Sequence, residues 1–513
     1  MQVRLRWWPA LAIIVVATIA VVVVRLRDSL TFQQRNMTTT MIVLGAAVLL
    51  LCWWTMLSRA PGRRRFFVTL GVLGLVGLGS ALFRIRGVSG DLVPIIEFRL
   101  ARSVTIKATG EAVPSSPVAT VSLDPARADF PQFLGPNRTA ELSGPLLDPD
   151  WKSHPPQILW RTKVGPGWSG LVVVGGRALT QEQDGGDEKI TCYDVLTGRP
   201  LWSHADATRY DNPVGGEGPR ATPTVVGERV FTLGSTGRLN ALDLATGRVH
   251  WTHDLVAETG ASIPAWGYAG SPLYLDGWII VSAGGREKKS LLAYDADTGA
   301  VVWAAGRAAA GYGAPFVATL AGRRQILAYN HRIITAHDAD TGTVLWEYPW
   351  GLGYPHVAVP VIVGANRVVF SAGYGVGAAM LEVTTSSDGK FAATEVWRSL
   401  KLKAKFSNPV ARDGFLYGLD DGMLVCVDLK DGSQRWKAGR HGHGQGLLIG
   451  ELFLLMAENG ELILLRPTPD SPNELHRFRV FSGKTWNPIA LAGDILLVRN
   501  DQEAACLRVA LAR

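Results

Sequence analysis

Three uninterrupted apolar runs open the chain, at 7–24, 41–57 and 66–83, each 17 or 18 residues long and without a charge inside. At about 1.5 Å per residue such a run spans roughly 26–27 Å, enough for the hydrocarbon core of a bilayer. The pattern predicts three transmembrane helices in a membrane anchor over 1–87. Read instead as buried core helices, the runs would have nothing soluble in the first 85 residues to pack against. Arg25 and Arg27 follow the first run and no small-x-small site does, so the run reads as a retained span and not a cleaved signal. Residues 88–128 are mixed, with Pro114, Pro117 and Pro125 among small residues, and predict a linker or stalk.

From 129 onward the pattern is short, alternating and periodic. The stretches 241–251 (ALDLATGRVHW), 293–303 (AYDADTGAVVW) and 336–346 (AHDADTGTVLW) are copies of one unit, and 192–202 and 426–436 vary it. The marker aromatics Trp160, Trp202, Trp251, Trp303, Trp346, Trp397, Trp436 and Phe478 stand 39 to 52 residues apart. That spacing holds four short strands with turns, the size of one propeller blade. Within the unit, alternation predicts a strand, the Asp starts a turn by bonding the backbone ahead of it, and the Gly supplies the positive φ that ends it. Trp160 marks a last strand without its blade, while 487–509 holds three strand-like runs without a fourth. Joining the two gives an all-β, eight-bladed β-propeller over 129–513, closed between its N- and C-terminal strands and preceded by three transmembrane α-helices.

Charge sharpens the division. The chain is +8 overall, but residues 1–100 hold 12 Arg, no Lys and 3 acids, a net +9, which leaves the remainder at −1. A near-neutral propeller lacks the concentrated basic face that nucleic acid requires. With a cytoplasmic N-terminus, the inside carries Arg4, Arg6, Arg59, Arg63, Arg64 and Arg65 against five arginines outside. Three spans then place everything after residue 90 outside the cytoplasm.

The pattern Ala-x-Asp-x-x-Thr-Gly-x-x-x-Trp resembles the repeat of pyrroloquinoline quinone (PQQ)-type β-propellers, and the lead-in 130–138 (FPQFLGPNR) is similar to the opening of bacterial PQQ-like repeat proteins. The superfamily includes the quinoprotein alcohol and glucose dehydrogenases. It also includes the propeller lipoprotein of the outer-membrane β-barrel assembly machinery, which is not an enzyme. The resemblance covers about 380 residues and, taken with the three spans and the arginine bias, implies a bacterial, inner-membrane, multi-pass protein with its propeller in the periplasm or otherwise outside the cytoplasm. It leaves two functions open, because the repeat residues hold blades together and do not specify a ligand. One is a binding or scaffolding module for envelope proteins or a small ligand. The other is a membrane-bound PQQ-dependent dehydrogenase oxidising an alcohol or sugar, with PQQ and calcium as cofactors.

The approaches to the first strand of every blade should converge on one mouth of the central channel, where loops on a rigid scaffold collect binding residues. This places Trp168, Arg220, Trp266, Tyr268, Tyr312, His356, Lys405, Asn408, Trp486 and Asn487 there as candidates for cofactor or ligand contact, with His441 and His443 beside them. Aromatic rings beside cations suit a flat anionic ligand; the competing reading is that the rings plug the channel. Against a quinoprotein stand the missing Cys-x-x-Cys-His haem signature and the missing adjacent cysteine pair on which alcohol dehydrogenases of the superfamily stack the quinone. No Glu-Asn-Asp calcium set is matched, although Asn408 and Asn487 are oxygen donors, and no metal ligands are assigned. Cys192, Cys426 and Cys506 hold the small-residue position of the repeat and read as buried hydrophobes. These features favour the binding module over the enzyme.

Overall fold

The computed structural model describes residues 5–27, 30–100, 129–351 and 353–512. The chain divides into two compact units, Met1–Thr109 and Gly110–Arg513. The larger part of the stretch read as a linker, 101–128, lies outside the described residues.

The first unit holds helices α1 (Trp8–Leu26), α2 (Phe32–Cys52) and α3 (Gly62–Leu82), with Trp53–Leu57 continuing α2 as a π-helical turn. All three are long and apolar enough to cross a membrane. The helices are longer than the apolar runs, and α2 starts nine residues ahead of its run because Thr31 and Gln34 form a reciprocal capping box there. Trp53 donates its indole N–H to the Arg6 carbonyl at 3.1 Å, pinning the chain before α1 to the end of α2. A hairpin of strands β1 (Phe83–Val88) and β2 (Pro94–Phe98) follows α3 directly, so the region expected to begin as irregular linker begins as a sheet.

The second unit is the eight-bladed propeller. Seven blades are sequential antiparallel four-stranded sheets, and the eighth pairs the C-terminal strand Glu503–Arg508 with the N-terminal strand Gln157–Lys163, the closure expected from the orphan marker Trp160. Blade 7 gains a fifth strand, Glu141–Leu142, which adds in parallel to its innermost strand. The repeat explains how blades join. Asp243 accepts from the Thr246 amide at 2.8 Å, and Gly247 follows with φ +73°. A Cβ on Gly247 would sit 2.3 Å from the ring of Trp202 in the preceding blade. Trp202 also donates its N–H to the Leu244 carbonyl of that same turn at 3.0 Å. Trp160, Trp251 and Trp397 reach the next blade in the same way, each onto the Gly of the turn that receives it. Trp346 faces the degenerate blade 5, where the turn glycine Gly389 has nothing packed on it, and bonds Gln325 within its own blade instead.

The lead-in 129–142 runs along the inner strands inside the channel. Phe130 exchanges two backbone bonds with Val173, at 2.8 and 2.9 Å, on the free edge of the first strand of blade 1. The carbonyl of Pro131 accepts from Val225 of blade 2, and that of Ala140 from Leu448 of blade 7, both at 2.8 Å. Phe130, Leu134 and Ala140 are buried there, so the lead-in fills the channel behind the mouth.

Candidate functional site at the channel mouth

In each blade the first strand runs away from the mouth and the second returns, so the turn between the second and third strands lies on the same face as the approach loop. The mouth is therefore built from two sets of loops, and the rings of both sets touch. Trp168 and Trp486 stand with centroids 4.7 Å apart, and Phe406 packs on the other side of Trp486 at 4.9 Å. His443 meets Phe406 at 5.6 Å. On the other side Trp266 lies between Tyr312 at 5.9 Å and Tyr374 at 6.1 Å, and Tyr374 stacks on Tyr354. Two ammonium groups thread the ring: Lys484 over Trp486 and Trp168 at 4.0 and 4.7 Å, and Lys405 over Tyr374 at 5.0 Å.

Trp168, Trp266, Tyr312, Lys405 and Trp486 are thus gathered at one place. Arg220 lies beside them under the Tyr210 ring at 4.7 Å, its guanidinium held by the carbonyls of Gly216 and Gly218, and burial lowers it to about 10. The other candidates serve the blades. Tyr268 is buried in the core of blades 2 and 3 and donates to the Ala283 carbonyl at 3.0 Å. His356 is buried between Tyr329 and Trp350, and that burial pulls it down to about 4, neutral at physiological pH. Asn408 accepts from the Val359 amide at 2.9 Å, tying blade 5 to blade 6. Asn487 donates to the Gly167 and Ser169 carbonyls, tying blade 8 to blade 1. His441 is buried and also lowered by burial.

Phe406, Tyr374, Tyr354, Tyr210, Lys484 and Glu188 belong to this face and were not singled out from the sequence. Tyr374 comes from the turn between second and third strands of blade 5 and Glu188 from the start of the third strand of blade 1, positions that strand alternation alone could have assigned. Glu188 is 3% exposed; one oxygen accepts from the Ser235 amide at 3.2 Å and the other has no partner. Burial raises its carboxyl from 4.5 to about 7, against the opposing pull of the Ser235 amide and Arg220. Because the folded value lies above the ordinary one, the stability this group contributes is present below pH 4.5 and lost as pH rises through 7. Glu188→Gln is therefore expected to match the wild type near pH 4 and to be more stable by on the order of 2 kcal/mol near pH 8. Thermal unfolding of the full chain at the two pH values checks this, and an unchanged difference between them refutes it.

The side chains present do not fit a planar tricyclic quinone. A sandwiched ring system needs faces about 7 Å apart, twice an ordinary stacking distance, whereas the mouth rings already contact one another. All four cysteines are free and none is adjacent to another. Among the described residues no group of three His, Cys, Asp or Glu side chains is placed to hold a metal ion. A polar cavity of about 730 Å³ lies elsewhere, between the outer strands of blades 1 and 2. Its polar groups are largely engaged with each other, Asn240 with Asp206 at 2.7 Å and Arg238 with Asp254 at 3.7 Å.

A family model described as outer membrane protein assembly factor BamB matches residues 186–438. A polyvinylalcohol dehydrogenase from a Pseudomonas species is 29% identical over 166 residues, 31% of this chain and 22% of that protein. Quinohemoprotein alcohol dehydrogenase ADH IIB of Pseudomonas putida is 29% identical over 126 residues, 22% of this chain and 17% of its own length. The chain thus spans about a fifth of the curated relatives it matches. Among solved structures, BamB from Moraxella catarrhalis superposes with a TM-score of 0.50 at 15% identity, over 70% of this chain and 99% of that one. Quinohemoprotein alcohol dehydrogenase from Comamonas testosteroni gives 0.54 at 14% identity, over 75% and 81%. Residues 186–438 thus match a PQQ-type repeat family model, and the solved structures that share the propeller fold include both an assembly factor and a dehydrogenase.

Proposed function

We propose that the protein is a membrane-anchored binding module: an anchor over 1–87, a linker over 88–128, and a propeller over 129–513 held outside the cytoplasm to capture an envelope protein or a small anionic ligand at its mouth. The observation that carries this reading is the packing of the mouth, where the tilted rings of Trp168, Trp486 and Phe406 stand with centroids 4.7 and 4.9 Å apart, too close to admit a further ring between them. Lys484, partly exposed, lies on that aromatic floor and Lys405 is buried beneath it, so the mouth offers positive charge over flat apolar area, which suits carboxylates or an acidic peptide. The matched family description, an assembly factor, agrees with a scaffold.

The named dehydrogenases among its relatives make PQQ with calcium the competing ligand. The test is titration of the full chain in nanodiscs with PQQ, with and without Ca²⁺, followed by absorbance and calorimetry. The expected result is no saturable binding below about 100 μM, weaker than about −5 kcal/mol. In parallel, Lys484→Ala and Trp486→Ala are expected to reduce cross-linking of envelope proteins to the mouth. Micromolar binding of a quinone that an added alcohol reduces would replace this reading with the enzymatic one.

A further inference from the structure

The hairpin after α3 sorts its side chains by face. Phe83 stands opposite Phe98 and Ile85 opposite Ile96 in the register, and the two phenyl rings meet at 5.4 Å. The other face carries Arg84 and Arg86, which reach Glu97 at 3.0 and 3.2 Å. The apolar face is bare: Phe83, Ile85, Ile96 and Phe98 are 46%, 68%, 64% and 41% exposed. A two-stranded hairpin is marginal in water by itself, and a contiguous apolar face of this kind needs cover.

The hairpin is tied at both ends to one side of the helical unit. Phe83 follows the last residue of α3 without a break, and the Arg99 amide returns to the Leu82 carbonyl at 2.7 Å. At the far turn the carbonyl of buried Asp91 accepts from Asn36 at 3.2 Å, near the start of α2. Asn36 in turn accepts from Arg25, in the last turn of α1, at 2.9 Å. The hairpin therefore stretches from the end of α3 to the end of α1 and the start of α2, at the level where α1 and α3 finish and α2 begins.

We propose that this hairpin is an interfacial membrane element, its Phe83, Ile85, Ile96 and Phe98 face covered by lipid at the headgroup–acyl boundary and its Arg84 face turned to headgroup phosphates. The assignment rests on the reading of α1–α3 as membrane spans. Continuity with α3 fixes the depth, and the segregation of apolar and basic side chains is that of an element lying in an interface. Two strands of this kind shield the aqueous end of the helices where α3 leaves the membrane.

The test uses the full chain with Cys52→Ser, reconstituted in phosphatidylcholine–phosphatidylglycerol vesicles. Cys192, Cys426 and Cys506 are buried, which pushes their thiols up to about 12, 11 and 12 and leaves them unreactive to label. An environment-sensitive fluorophore is placed at Ile96→Cys or Ile85→Cys, with Val76→Cys in α3 and Lys401→Cys on the propeller as references. Shallow spin-labelled lipid is expected to quench the Ile85 and Ile96 labels about two-fold and aqueous iodide to leave them unaffected, the reverse of the propeller reference. Quenching by iodide alone overturns the proposal in favour of a solvated hairpin. Protection from both quenchers overturns it in favour of cover by protein. If the Val76 label also escapes the spin-labelled lipid, the membrane reading itself fails, which separates the two conclusions.

Discussion

Arg499→Met is expected to lower the stability of the propeller by on the order of 3–5 kcal/mol, the usual cost of breaking a buried, hydrogen-bonded charged group. Arg499 ends the second strand of blade 8 and is fully buried. Its guanidinium donates to Thr180 Oγ1 at 2.7 Å, to the Gln181 and Gly165 carbonyls at 2.8 Å each, and to the Gly167 carbonyl at 3.4 Å. Every one of those acceptors belongs to blade 1 or its approach loop, so one side chain carries much of the seam where the ring closes. Methionine keeps much of the volume and removes all the donors, leaving buried carbonyls unsatisfied. Near-UV circular dichroism of the full chain, with its many tryptophans, should show a midpoint several degrees lower. Arg499→Lys should recover little, because an ammonium group cannot fork between the strand and the loop. A midpoint unchanged by Arg499→Met would mean that the Gln157–Lys163 strand and the Asn487 bonds hold the seam without Arg499.

Arg138→Met is the second change with a large expected effect, and it acts on the channel. Arg138 is buried in the lead-in and donates to the Ser271 and Pro272 carbonyls of blade 3, at 2.9 Å each, and to Gln132 at 3.1 Å. Burial lowers it only to about 9, so it stays charged at neutral pH. Around it Leu134, Arg138 and Ala140 hold φ values of +61°, +60° and +58°, left-handed conformations that cost of order 1 kcal/mol each for residues other than glycine. Such strain persists only while the surroundings enforce it. Without the guanidinium anchor the lead-in should leave the inner strands, and the Val173 and Val225 amides that it caps should exchange with solvent at least about ten-fold faster. Hydrogen exchange followed by mass spectrometry checks this. Protection unchanged at those two amides would show that Phe130 and Pro131 hold the lead-in without Arg138.

The split between what could be read from residues and what could not follows from the range of the interactions. Blade number was legible because each Trp, Asp and Gly acts within one turn or on the next blade, so the constraint recurs at a fixed spacing. The closure of 157–163 onto 503–508 was legible as well, because one orphan strand and one three-strand remainder leave a single pairing. The mouth was legible as a place, since approach loops must converge, and five of the ten candidates touch there. Tyr268, Asn408 and Asn487 looked the same in sequence, yet their side chains turn into blade contacts. That direction depends on which neighbour lies within about 3 Å, and no local pattern records it.

By itself the sequence determined three apolar spans, a period of about 40 to 50 residues and eight closed blades, because hydropathy and turn chemistry are local properties repeated along the chain. Only the tertiary structure decided that the lead-in fills the channel, that the mouth rings pack against one another, and that the residues after α3 form a two-faced hairpin. Those outcomes rest on contacts between residues far apart in the chain: Phe130 with Val173, Trp168 with Trp486, Asn36 with Asp91. Each is selected by packing and hydrogen-bond satisfaction across elements, and neither leaves a period in the sequence.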